Sequence, residues 1–105
     1  MSEITPVYTA VVAENAIADN EVVAAVAGKQ IKVLSIVLIA SGGANTCTWK
    51  SATNALSGAM DFAADGGYSL GNGETPVLVT NNGEALNLAL TAATLVAGHV
   101  SYVLG

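Results

Sequence analysis

The sequence predicts an all-β protein: a two-sheet antiparallel sandwich with eight or nine short strands. Three observations carry that expectation. Short Val/Ile/Leu/Thr runs alternate with Gly/Asn/Asp/Ser clusters at a spacing of roughly 8–12 residues, the rhythm of sandwiches and barrels. Residues 85–91 alternate strictly, with Leu86, Leu88 and Leu90 on one face and Asn87, Ala89 and Thr91 on the other. The Ala-rich stretches 10–18 and 22–27 have helix propensity, but they lack an i, i+3, i+4 apolar stripe and carry the β-branched pairs Val11-Val12 and Val22-Val23.

The elements follow in chain order. Residues 1–9 read as an N-terminal arm and residues 10–105 as a single sandwich domain, with the first strand at 7–14 entered through Pro6. A loop at 15–20 leads to a second strand at 21–27, ended by Gly28-Lys29, and 30–40 is the third. Ser41-Gly42-Gly43 turns the chain into a fourth strand at 45–51, where Cys47 and Trp49 share one face and Thr46, Thr48 and Lys50 the other. A fifth at 55–63 is interrupted near Gly58, where a bulge is expected. Glycine turns bracket a very short strand at 68–70, and 76–80, 85–91 and 99–104 complete the set. One-turn helices fit 15–20 and 92–97. The echo of Asn72-Gly73-Glu74 in Asn82-Gly83-Glu84 is recurring turn chemistry before an apolar strand.

On a strict period of two, the third strand is apolar on both faces. Leu34, Ile36 and Leu38 fall on one, and Ile31, Val33, Val37 and Ile39 on the other, diluted by Lys32 and Ser35. A strand apolar on both faces is covered on both faces, so a homo-oligomer is expected.

Composition points the same way. Of the 105 residues 52% are hydrophobic and only 10% charged, against about 25% charged in ordinary domains. That excludes disorder and implies a surface that is largely covered. The net charge is −5, there is no Arg, and Lys29, Lys32 and Lys50 are the only cations. No basic patch for phosphates exists, so neither nucleic acid nor an anionic membrane surface is an expected partner. The longest apolar stretch, 33–40, is interrupted by Ser35 and falls far short of the ~20 residues a membrane helix needs. The opening hexapeptide has no positive n-region and no apolar h-region, so no secretory signal is expected. A lone Cys47 excludes an internal disulfide and reads as a buried small hydrophobe in a chain made in a reducing cytoplasm.

No chemical constellation stands out, so neither catalysis nor a cofactor is expected. His99 is the sole histidine, with Ser101 on the same strand face, but no G-x-S-x-G elbow accompanies them. Zinc requires several Cys and His ligands, and one of each is present. Asp61, Asp65 and Gly66 lack the ligand alternation and closing Glu of a calcium loop. The glycines at 66, 67, 71 and 73 lack the spacing of a phosphate cradle. Paired carboxylates among Asp61, Asp65, Glu74 and Glu84 leave a small carbohydrate-active enzyme as an alternative. Among the aromatics, Tyr102 reads as core, Trp49 as core filler or interface anchor, and Tyr68 as an exposed loop contact.

Four stretches resemble small tailed-phage structural proteins: 22–35 (VVAAVAGKQIKVLS), Lys50-Ser51 with 55–60 (ALSGAM), 83–88 (GEALNL) and 98–104 (GHVSYVL). The similarity spans some four-fifths of the chain and consists of strand and turn sequences, not of an active-site signature. It implies a capsid decoration (cement) protein with a jelly-roll-like sandwich. Such a protein sits on the virion surface as a homotrimer, binds the major capsid protein and stabilises the shell. The resemblance brings no catalytic residues. The tract 68–76 departs from it, since many relatives have a longer Pro- and Trp-containing loop there. Candidate partner contacts are Ile4, Pro6 and Tyr8 of the arm, with Trp49 and Tyr68. A tail or head fibre domain that binds a host receptor or glycan through Tyr68, Asp61 and Asp65 is the other alternative.

Overall fold

In a computed structural model, which describes residues 6–71 and 75–105, every regular element is a β-strand. Ten strands run in chain order: β1 Tyr8–Glu14, β2 Ala18–Val23, β3 Ile31–Ile39, β4 Asn45–Ser51, β5 Asn54–Ala55, β6 Met60–Phe62, β7 Gly67–Leu70, β8 Leu78–Val79, β9 Leu86–Leu90 and β10 Val96–Leu104. They form two antiparallel five-stranded sheets. The first has the order β1-β10-β3-β7, with β8 also on β3; the second has β2-β9-β4-β5, with β6 also on β4. β7 and β8 thus share one edge, and β5 and β6 share the other. The ten segments reduce to eight rows, four per sheet, in a jelly-roll-like path. The expected fifth strand is two pieces, because the chain leaves β4 between Ala55 and Met60 around Gly58.

The core lies between the sheets. Val12, Ile31, Val33, Ile36, Leu38, Val96 and Val100 of the first sheet meet Cys47, Trp49, Leu86, Leu88 and Leu90 of the second. β4 and β9 alternate as the sequence implies, burying every second residue.

β3 departs from its expected pattern. Ser35 pairs with Ser101 and Val33 with Tyr102, so Leu34 is an extra residue opposite a continuous β10. This bulge resets the phase of the pleat. Ile31 and Val33 before it, and Ile36 and Leu38 after it, all enter the same core. The outward set is Lys32, Ser35, Val37 and Ile39, so the strand is less apolar outside than strict alternation predicts. Leu34 is itself buried but stands outside the main core cluster.

β2 begins three residues earlier than expected and ends at Val23, with Ala24 to Ala27 outside the sheet. Neither expected helical turn forms, and two buried asparagines supply the reason. The Asn20 amide donates to the carbonyls of Ala16, Ala18 and Leu88. Asn45 donates to Ala92 O, Thr94 O and Thr94 Oγ1, and its Oδ1 accepts from the amides of Thr46, Thr91 and Ala92. These two of the connections between the sheets, β1 to β2 and β9 to β10, therefore have backbone groups satisfied by a side-chain amide without a helical turn.

Tyr8 and Thr9, which the sequence places both at the end of the arm and in the expected first strand at 7–14, belong to β1, where they pair with Tyr102 and Ser101. Gly98 has φ 150° and lies so close to β3 that a Cβ there would overlap the Val37 carbonyl oxygen, so only glycine lets these strands pair.

Candidate functional site

The groups considered for catalysis are dispersed. His99 is exposed on the outer face of the first sheet, and its cross-strand neighbours are Val11 and Val37, not a carboxylate. The Ser101 hydroxyl is in contact with that of Ser35 across the strands. Asp61 accepts a 2.7 Å hydrogen bond from Thr46 Oγ1 on the outer face of the second sheet. Asp65 occupies a turn with φ 64°, its amide donating to Ala40 O. The Glu84 carboxylate accepts from Ser51 Oγ at 2.6 Å and Asn81 Nδ2 at 3.0 Å. These bonds favour the ionised form and hold its pKa below the ordinary value. Glu74 lies outside the described residues. The Asp61 and Glu84 carboxylates are thus tied to different partners, and Asp65 sits in a separate turn. Among the described residues no group of three or more His, Cys, Asp and Glu side chains is placed to hold a metal ion. Cys47 is wholly buried, and burial pushes its thiol up to about 11, away from the reactive thiolate.

The expected contact residues divide. Ile4 lies outside the described residues, whereas Pro6 is exposed and Tyr8, 43% accessible, stacks on Tyr102 with centroids 5.4 Å apart. Trp49 has no exposed surface and is a core filler, which removes it as an interface anchor. Tyr68 is half-buried, not a free loop side chain. It lies on β7 opposite Leu38, accepts a hydrogen bond from Trp49 Nε1 and stacks on Phe62 at 5.8 Å.

The two outer faces differ sharply in chemistry. On the second sheet the cross-strand rows are Asp19–Ala89–Thr48, Glu21–Asn87–Lys50–Ala55 and Thr46–Asp61, with a 3.1 Å Lys50–Asp19 ion pair. That is an ordinary hydrated surface. On the first sheet the rows are Ala13–Ala97–Ile39–Gly67, Val11–His99–Val37–Ser69, Thr9–Ser101–Ser35 and Val103–Lys32–Val79. None of these outward positions is a carboxylate, and Lys32 and His99 are their only titratable groups. A shallow open depression of about 360 Å³ lies at one end, lined by Val37, Ile39, Asp65, Gly67, Tyr68 and Ser69.

Exposed large hydrophobic residues follow the same division. Tyr8, Val11, Ile39, Leu70 and Val79 lie on strands of the first sheet and Val7 directly before β1, while Ile17, Val26 and Leu95 lie in loops. None among the described residues lies on a strand of the second sheet. Sequence reading missed Val11, Val79 and His99 as members of one surface, because β1, β8 and β10 are far apart in the chain. The outward pair Val37 and Ile39 was legible from alternation alone. Comparison with protein-family models, with curated proteins and with solved structures finds no match for this chain.

Proposed function

We propose that the chain is a bacteriophage capsid decoration protein, which binds the outside of the head as a homotrimer and stabilises the shell. The observation that carries the reading is the contrast between the two outer faces: one presents Asp19, Glu21, Lys50 and Asp61, while the strand positions of the other hold no carboxylate and expose Val11, Ile39 and Val79 among hydroxyl side chains. A surface of that kind fits a protein that works by being covered, by its own copies and by the major capsid protein. The resemblance of its strand and turn sequences to small tailed-phage structural proteins supports the virion assignment. The mechanism is one of contact energy. Each copy adds buried area across seams between capsomers, and linked contacts within an oligomer multiply into strong attachment.

Cryo-microscopy of virions from the encoding phage, read together with binding of the purified chain to heads, tests the proposal. Copies tiling the capsid surface are the expected result. Density confined to tail or head fibres overturns it in favour of a receptor- or glycan-binding domain. Glycan turnover that disappears in Asp61→Asn and Asp65→Asn variants overturns it in favour of an enzyme.

A further inference from the structure

We infer that the outer face of the first sheet is the surface on which a second copy of this chain packs. The inference deepens the capsid reading and rests on it for the trimeric count. Three properties of the face choose this occupant.

The first is charge. A chain of net charge −5 repels its own copies, and they approach most easily where acids are missing. The outward positions of β1, β10, β3, β7 and β8 carry no carboxylate, and their only titratable groups are Lys32 and His99. Asp65 stands at one end of the face, yet an acidic neighbour meets less repulsion here than on the second sheet, which presents Asp19, Glu21 and Asp61.

The second is area. Rows of seven, nine, nine and six residues, at about 3.4 Å per residue and about 4.8 Å between rows, give a face of about 500 Å². Covering that face with an equal area of the neighbour buries about 1,000 Å², the size at which a specific interface becomes credible.

The third is continuity. A cyclic trimer needs two different patches on each copy, because its contacts are heterologous. Exposed Val79 belongs to the face itself, and exposed Leu70 at the β7 edge and Val7 and Tyr8 at the β1 edge add apolar surface along its two sides, Leu70 and Tyr8 from the inner side opposite Ile36 and Tyr102. The edge of one copy laid on the face of the next buries both patches.

His99, the sole histidine, stands exposed at the centre of the face and is a built-in reporter. Acylation of the wild-type chain by diethyl pyrocarbonate, followed by mass spectrometry, reads its accessibility at micromolar and at high-dilution concentrations. Sedimentation velocity on the same samples gives the association state. Expected is an oligomer at micromolar concentration in which His99 reacts at least about tenfold more slowly than in the dissociated chain. A Val11→Glu/Val37→Glu variant is expected to sediment as a monomer, while Thr48→Glu on the second sheet stays associated. A wild-type monomer at micromolar concentration, or an oligomer in which His99 reacts at the monomer rate, overturns the inference. Association through this face without head binding would leave it standing and sink the capsid reading. Head binding by an oligomer with His99 fully open would do the reverse.

Discussion

The indole N–H of Trp49 donates a 2.8 Å hydrogen bond to the phenol oxygen of Tyr68, joining β4 of the second sheet to β7 of the first. Trp49 is fully buried, so its N–H has no water to turn to. The Tyr68 ring is in turn stacked parallel to Phe62, with 9° between planes. One side chain thus holds an edge strand against the core. Replacing Tyr68 by Phe keeps the ring and removes the acceptor. The expected cost is about 1–3 kcal/mol in urea unfolding, the penalty of a buried unsatisfied donor. An unchanged midpoint would mean that the bond contributes nothing net.

Asn45 supports the 91–95 connection with both ends of its amide. Asn45→Ala leaves the carbonyls of Ala92 and Thr94 and the amides of Thr91 and Ala92 without this partner. A loss of about 2–4 kcal/mol is expected from breaking such a buried network, read by chemical denaturation. Asn45→Asp keeps the acceptor but turns a charged oxygen onto the Ala92 and Thr94 carbonyls in a buried site, so it should cost at least as much as Asn45→Ala.

Cys47 makes stability depend on alkaline pH. Its folded pKa is raised from 9.0 to about 11 by burial, so above the ordinary value the unfolded chain releases a proton that the folded chain keeps. Stability conferred by the neutral thiol is therefore complete below pH 9.0 and lost as pH rises towards about 11, by about 2–3 kcal/mol. Burial also raises the phenol of Tyr68, and adds a loss of the same sign above its ordinary value of 10.0. Unfolding curves of wild type and Cys47→Ala across this range check the assignment. The variant should have a shallower decline.

Glu84 acts at the acid end. Hydrogen bonds from Ser51 and Asn81 lower its folded pKa below 4.5, so the stability they confer is present above that value. It is lost as the pH falls through the depressed folded pKa. Thermal melts of Glu84→Gln should be less sensitive to acid than those of wild type. The Ser51 hydroxyl also accepts from the Asn81 amide, so Ser51→Ala should weaken the same turn and flatten the same acid limb.

Alternation and turn chemistry made much of the sandwich legible. The bounds of β4 were readable from Cys47 and Trp49 facing away from Thr46, Thr48 and Lys50, and the face of β9 from its three leucines. The repetitive 22–27 stretch was misleading, since alternating Ala and Val do not specify where pairing stops. The end of β2 depends instead on a register shift against β9 between Glu21 and Val23.

The sequence by itself determined the fold class, the buried faces of β4 and β9 and the scarcity of charge, because period-two patterning and composition are properties of single segments. Tertiary structure alone decided the bulge at Leu34, the pairing of Trp49 with Tyr68 and the gathering of Val11, His99, Val37 and Val79 on one face. Each of these depends on which strand lies beside which, and that is set by contacts between residues distant in the chain.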